Sequence, residues 1–581
     1  MASNAGRLLP VAVASGLAVF ALCMAVVVAT PGDAYWINDC GNKALVAQRL
    51  LETRFADASF EQAAAGSVSI ERWFPITHPF ALRRGEAFIS AYPPAYSALA
   101  ATGLAALGAH GLRLPAALGV AACTALFVIW AGPALGRAAA LAGALVLGLA
   151  TPLFFYGVTV WEHSLTVAAA LVVCVLLSQE RVGRWAAAGA MVGAACWLRE
   201  ELGLFALAVA AAALLRRQSP TLVGAFAAGV GVPVAALIVF NVAYYDNPLG
   251  GHLLANLGSD APAGGQLSRF TAVPGLLGGL GHGPGERWAF ALLGVVLPLA
   301  GAIAPSRLRN SSVLALGLAL AGLVVWGLAG SRMLTAARPL SQLVAHNGLL
   351  LQWPMLVLAG LGARRLFEDP ACRAPRTGAL AGALFVVLVL AWGIALPSGF
   401  GVQVGAGVHW GPRVLLPAFP ALVLFALAAA HGRAPGARVA WGALALAGVL
   451  STAHATAFLV HQKLDGARFI ERVLELEPRA LVTSDPFLPQ HLAALWDDKT
   501  WLLAPGAKSM QAATLALRSG GEREFLYVVP AGKPLASWLP GVQCALAFEH
   551  RGRHLHYLDL DVQQCRFETT LRQRRGTRRR G

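Results

Sequence analysis

Runs of about twenty apolar residues recur along this 581-residue chain, parted by short polar turns, and each run is long enough to cross a bilayer as a helix. Candidate spans lie near 8–30, 138–157, 163–178, 185–198, 199–215, 221–243, 287–304, 312–329, 346–361, 378–397, 413–430 and 438–459. The stretch 94–134 is apolar too, but it is broken at 111–113 and Pro115. The run 8–30 is longer than a signal-peptide core and no convincing small-residue cleavage site follows it, so it reads as an uncleaved first span. Beyond about residue 460 the apolar runs shorten and charge rises. There 480–483, 500–503 and 524–529 read as buried strands, 554–560 alternates like another, and helices are expected over 468–477 and 490–496.

Composition agrees with the pattern. The chain is 57% hydrophobic and 13% charged, against roughly 25% charged in soluble domains. A water-soluble fold buries only about three quarters of its chain surface even at large size. A bilayer supplies the apolar surroundings that are missing, and each helix there satisfies its own backbone. The net charge of +16 invites a nucleic-acid reading, but its distribution argues against one. Arg137, Arg181, Arg184, Arg216, Arg217, Arg307, Arg309, Arg364, Arg365, Arg433 and Arg438 sit in short loops between apolar runs, the positive-inside pattern. The basic end 571–581 reads as a disordered tail.

Placing those Arg loops inside makes 94–134 cross an odd number of times, as one crossing plus a half-helix. The expected fold is a polytopic α-helical membrane protein of about thirteen spans, with the N-terminus cytoplasmic. Residues 1–459 form the transmembrane domain, with an outer loop at 31–93, and 460–570 form a small extracytoplasmic α/β domain. Of eight cysteines none has metal-ligand spacing. Cys544 and Cys565 would bridge if the C-terminal part lies outside.

That topology gathers the costly charges on the outer side, where ionisable groups at a membrane edge are functional candidates. In the first loop Asp39 and Asp33 compete as a carboxylate able to take a proton from an acceptor hydroxyl or amine, although an Asp at a helix start also serves as an N-cap. Lys43 follows, then Arg84 beside Arg83, then Tyr92-Pro93-Pro94. Arg suits forked contact with phosphate. Glu162 and His163 occupy a tight outer turn after Trp161, with no second His at helical spacing to suggest a metal. Arg199, Glu200 and Glu201 interrupt an apolar stretch, so they face a polar cavity, pair with one another, or sit at the outer edge. His409 and Arg413 open the span 413–430, where a cation at a helix start opposes the dipole and implies some other demand, such as an anionic substrate group. The loop 244–286 is the fifth outer segment.

Taken together these segments resemble the GT-C superfamily of membrane glycosyltransferases, which includes the protein O-mannosyltransferases and lipid A aminoarabinose transferases. The resemblance covers about 8–460. It rests on the first-loop Asp39 with its helical run to Leu51, the Tyr-Pro-Pro at Tyr92, the Thr-Pro-aromatic span from Thr151 to the acidic turn at Glu162, the Gly-rich span from Gly189 to Arg199, and Trp410-Gly411-Pro412-Arg413 leading to Pro417. The first loop departs from the common Asp-Glu pair by carrying Asp39-Cys40. The resemblance implies transfer, with inversion, of a sugar from a polyprenyl-phosphate carrier to an unknown acceptor at the outer face of the bacterial inner membrane. It implies a donor lipid as partner, no nucleic acid and no cofactor, and nothing in the sequence supports a divalent metal. It gives Asp39 (or Asp33) the base, Glu162 or His163 a second cavity position, and Arg199 the lipid phosphate; Lys43, Arg84, Tyr92, Glu200, His409 and Arg413 are the further candidates for substrate contact. A lipid-linked glycan flippase or transporter, and a glycan polymerase or ligase, are the rival readings.

Overall fold

The computed structural model describes residues 2–62, 71–257, 269–278, 284–309, 311–335, 348–395, 412–431, 435–532, 539–552 and 559–568. The chain opens with α1 (Ala2–Val28), apolar all round. Ala12, Val19, Cys23 and Val27 are buried, at spacings that put them on one face. The other face exposes Leu9, Val13, Leu17 and Leu22, a surface that only lipid covers without cost. A helix of this length reaches about 40 Å, more than a hydrocarbon core.

After α1 the chain forms α2 (Asn38–Glu52), then a small antiparallel sheet of β1 (Ser59–Phe60), β2 (Ala81–Arg84) and β3 (Ala87–Ser90), ordered β1-β3-β2. The stretch 94–134 resolves into α3 (Ala95–Leu107), a 3-10 turn over Gly108–Arg113, and α4 (Leu114–Leu135). Only α4, at 22 residues, has the length of a full crossing; α3 has 13. There follow α5 (Arg137–Leu149), α6 (Leu153–Gly157), α7 (His163–Leu177), α8 (Val182–Ala195), α9 (Leu202–Leu215), α10 (Pro220–Tyr245) and α11 (Gly250–Leu257).

Among the described residues eight stretches are long and apolar enough to cross a membrane. α5, α7 and α9 are apolar but shorter, at 13, 15 and 14 residues. Later helices include Pro284–Ile303, Ser312–Thr335, Arg376–Ala395, Phe419–Ala430 and the 40-residue helix Pro435–Leu474, which runs straight through residue 460. The expected helix 468–477 is the end of that long helix.

The C-terminal part carries β4 (Ala480–Thr483), β5 (Thr500–Leu503), β6 (Glu524–Pro530), β7 (Val542–His550) and β8 (Leu560–Phe567), in the order β5-β4-β6-β8-β7. β4 pairs parallel with β5 and β6, and β8 pairs antiparallel with β6 and β7. The strand expected at 554–560 instead begins at Leu560, and 553–558 lie outside the described residues. The helix expected at 490–496 divides into Leu488–His491 and a 3-10 turn at Ala493–Leu495. Cys544 and Cys565, cross-strand partners on β7 and β8, are disulfide-bonded, and the six other cysteines are free and buried.

Candidate active site

α2 starts at Asn38 with Ile37 as its extended N-cap residue, so Asp39 lies in the first turn and is not the cap. Four residues on, Lys43 shares its face. Both are buried. Asp39 is held from two sides: the Tyr92 hydroxyl donates to its Oδ1 at 2.6 Å, and Arg413 Nη1 lies 3.5 Å from its Oδ2. Tyr92 comes from the turn between β3 and α3, and Arg413 from the 3-10 turn Arg413–Ala418 that leads into Phe419–Ala430.

Glu162 is the residue before α7. Its carboxylate bridges two cations, Lys43 Nζ at 3.4 Å and Arg199 Nη1 at 3.0 Å. Its position depends on close packing of α7 on α4, where a Cβ on Gly119 would lie 2.6 Å from Ser164 Oγ and 2.8 Å from the Leu165 nitrogen. Arg199, in the link between α8 and α9, also pairs with Glu201 through Nε. Glu200 in the same link turns to His252 of α11, 3.1 Å from its Nδ1. The rings of His252 and Tyr92 are 5.3 Å apart, and Lys43 Nζ sits 4.0 Å over the Tyr92 ring. Arg413 lies 5.5 Å from the Trp161 ring centroid.

The result is one buried network, built from α2, the Tyr92 turn, the starts of α7 and α9, α11 and the Arg413 turn. Asp39, Glu162, Glu200 and Glu201 face Lys43, Arg199, Arg413 and His252. Burial by itself would raise the Asp39 pKa, but the charges of Arg413 and Lys43 and the Tyr92 hydrogen bond outweigh it and hold the carboxyl below its usual range. Burial likewise opposes ionisation of Glu200, and His252 overrides it in the same direction. Burial first, then the Asp39 charge and the hydrogen bond to it, push the Tyr92 phenol well above its ordinary value, so Tyr92 acts as a donor. A carboxylate kept ionised in this way can accept a proton from a hydroxyl brought against it. The surrounding cations can hold a phosphate.

The chain is similar to ArnT from Cupriavidus metallidurans. Against its apo structure the identity is 14% and the TM-score 0.47, covering 94% of this chain and 97% of that one. Against ArnT bound to undecaprenyl phosphate the values are 14% and 0.44 over the same shares. The apo oligosaccharyltransferase of Archaeoglobus fulgidus is 12% identical, with a TM-score of 0.44 over 88% of this chain and 69% of that one. No family model and no curated protein matches the chain.

Of the residues expected from sequence, Asp39, Lys43, Tyr92, Glu162, Arg199, Glu200 and Arg413 come together. Arg199 is engaged with two carboxylates, Glu162 and Glu201. His163 is buried beside the cluster, its ring packed against Tyr156 at 4.5 Å and Trp161 at 5.1 Å. Asp33 is exposed and lines a separate cavity with Ala467, Ile470 and Glu471. Arg84 is also outside the network: it donates to the Ala243 carbonyl at 2.8 Å and lies 4.0 Å from the exposed Asp246. Neither side chain reaches the buried pairs. His409 lies outside the described residues. His252 was missed by sequence reasoning, being a lone histidine in the segment 244–286, which reads as a loop, with no spacing to mark it; the structure puts it on α11. Among the described residues no three His, Cys, Asp or Glu side chains are grouped to hold a metal ion.

Proposed function

We propose that this protein is a glycosyltransferase of the bacterial inner membrane that moves a sugar from a polyprenyl-phosphate carrier to an acceptor at the outer face. The observation that carries the reading is the buried ion-pair network that ends on Asp39. Several buried charges gathered in a membrane bundle are costly, and where they occur they mark sites of chemistry or transport; a carboxylate flanked by cations that could hold a phosphate favours the former. Orientation belongs to the same proposal: about thirteen crossings, the N-terminus inside, and the C-terminal sheet outside. The Cys544–Cys565 bridge fits an oxidising compartment.

In this reading an acceptor hydroxyl oxygen attacks the anomeric carbon and its proton passes to Asp39. The carbon–oxygen bond to the phosphate breaks, and the polyprenyl phosphate leaves with the bonding electrons. Attack opposite the leaving group inverts the sugar carbon. Phosphate is a good leaving group, so positioning and charge stabilisation do most of the catalysis. Lys43 and Arg413 are the cations best placed to turn toward it. Among the described residues each holds one carboxylate, at 3.4 and 3.5 Å, well beyond the ~2.8 Å of a strong charge-assisted bond. Arg199 is anchored by two and serves to hold Glu162. With Arg413 on it, Asp39 is a weak base, and a donor phosphate that draws Arg413 away restores its basicity. Substrate binding thus switches the base on.

Transfer from a panel of radiolabelled polyprenyl-phosphate hexoses and pentoses in membranes tests this. Asp39→Asn is expected to lower transfer by at least about 100-fold, the usual size of a lost general base. Asp33→Asn, outside the network, stays within about twofold, inside the noise of surface substitutions. Full transfer by Asp39→Asn at equal protein level would sink the assignment.

A further inference from the structure

α2 has a second face, turned away from Lys43 and toward the C-terminal part. A Cβ on Gly41 would lie 1.6 Å from the Gln490 carbonyl oxygen, so α2 meets the Leu488–His491 helix backbone to backbone, which a side chain at 41 would forbid. Next to it Asn42 and Gln490 are both fully buried. Asn42 Nδ2 donates to Gln490 Oε1 at 3.5 Å and to the Phe80 carbonyl at 3.3 Å. Asn42 Oδ1 accepts from Ser90 Oγ at 2.8 Å, and Ser90 Oγ in turn accepts from the Tyr92 backbone N–H at 3.1 Å. Gln490 is itself fixed by donating to the Pro486 carbonyl at 3.2 Å.

These bonds close a ring. Asp39 and Asn42 share one helix; Asn42 holds Ser90, Ser90 holds the Tyr92 backbone, and the Tyr92 hydroxyl returns to Asp39. Both partners of the Asp39–Tyr92 bond are therefore set by one side chain, which the C-terminal part grips from outside the membrane bundle. We propose that Asn42 is a positioning residue, and that the C-terminal domain, through Gln490, holds the Asp39–Tyr92 pair in its reactive geometry. The domain is then a working part of the site, although its own residues do not touch the reacting atoms. A misplacement of about 1 Å is enough to cost ~100-fold in rate, and buried polar ties of this kind are how such tolerances are kept. This inference rests on the glycosyltransferase reading for its catalytic consequence, but the mechanical tie stands on the bonds alone.

The experiment uses the full-length protein in nanodiscs, with the variants Ser90→Ala, Ser90→Thr, Asn42→Ala and Gln490→Met. Hydrogen–deuterium exchange reads the tie without any assay of activity. Gln490→Met, of similar size, is expected to raise exchange in the peptides covering 38–46 and 88–96, more than 390 positions away in sequence. Transfer from radiolabelled polyprenyl-phosphate sugar is expected to show kcat per folded molecule lowered about tenfold in Ser90→Ala and Gln490→Met. KM for the donor stays within twofold, and Ser90→Thr, which keeps the hydroxyl, recovers the rate. Unchanged exchange in both peptides, or Ser90→Ala with wild-type kcat, overturns the proposal. So does a loss that vanishes once activity is divided by folded protein. Should Asn42→Ala fail to fold, Gln490→Met and Ser90→Ala decide alone. Raised exchange in a wild-type background that transfers no sugar from any donor of the panel supports the tie and removes the glycosyltransferase reading, which separates the two failures.

Discussion

Arg199 holds Glu162 on one side and Glu201 on the other, all three side chains buried. Removing one partner of a buried pair leaves a charge that neither water nor protein satisfies, at a cost of ~3–5 kcal/mol. Arg199→Met is therefore expected to destabilise the protein by about that much, read as a fall in melting temperature in detergent. Arg199→Lys recovers only part, because an ammonium lacks the planar fork that reaches two carboxylates. The same scale fixes a pH effect. Burial favours the neutral acid of Asp39, and Arg413 is the largest of the charges that reverse this. A carboxyl whose folded pKa is depressed keeps its charge until pH falls through that lowered value; the stability that goes with it is whole above the ordinary carboxyl value and is lost as pH falls from there through the lowered one. Arg413→Gln removes the main depressing charge, so the acid limb of kcat/KM for the donor, which reports the free enzyme, is expected to move up in pH. An unmoved limb would mean that another group sets it.

Among the elements, α2 is the one whose two faces do different jobs. Its 39/43 spacing was legible because residues four apart on a helix share a face. The opposite face was not, since Gly41 and Asn42 gain meaning only once residue 490 arrives against them. The short Leu488–His491 helix carries a further buried group. Burial lowers the His491 pKa to about 4, so the folded protein keeps this ring neutral while the unfolded chain protonates it near pH 6.5. Between those values the unfolded state binds the extra proton, so stability is whole above about pH 6.5 and falls as pH drops toward 4, by ~3 kcal/mol in total. Chemical denaturation of the C-terminal part at pH 7 and at pH 4.5 measures this, and His491→Asn is expected to flatten the difference.

For the whole molecule the matter to test is sidedness. Leu515, on the helix Ala507–Ser519, is exposed, as is Arg181 just before α8, and the native free cysteines are all buried. A membrane-impermeant maleimide added to intact cells is expected to label Leu515→Cys but not Arg181→Cys until the membrane is permeabilised. Labelling of both from outside, or only of Arg181→Cys, would reverse or dissolve the proposed topology.

What the sequence determined by itself was most of the apolar helices, the strands at 480–483 and 500–503, and the gathering of charge at the helix ends. These follow from local periodicity and from the cost of charge in an apolar run, both of which are written within a few turns of chain. The span expected at 346–361 instead breaks into Leu349–Gln352, a 3-10 turn at Pro354–Leu358 and a helix Ala359–Glu368, because Pro354 interrupts it. What sets Asp39 apart from Asp33 belongs to tertiary structure. In sequence both are carboxylates of the first outer segment, and Tyr92 and Arg413, 53 and 374 positions on from Asp39, close around it and not around Asp33. The pairing of Arg199, the entry of His252 and the grip of Gln490 on Asn42 are likewise contacts between segments far apart in the chain. No local pattern encodes such contacts, because each side chain's partner is set by how the helices pack.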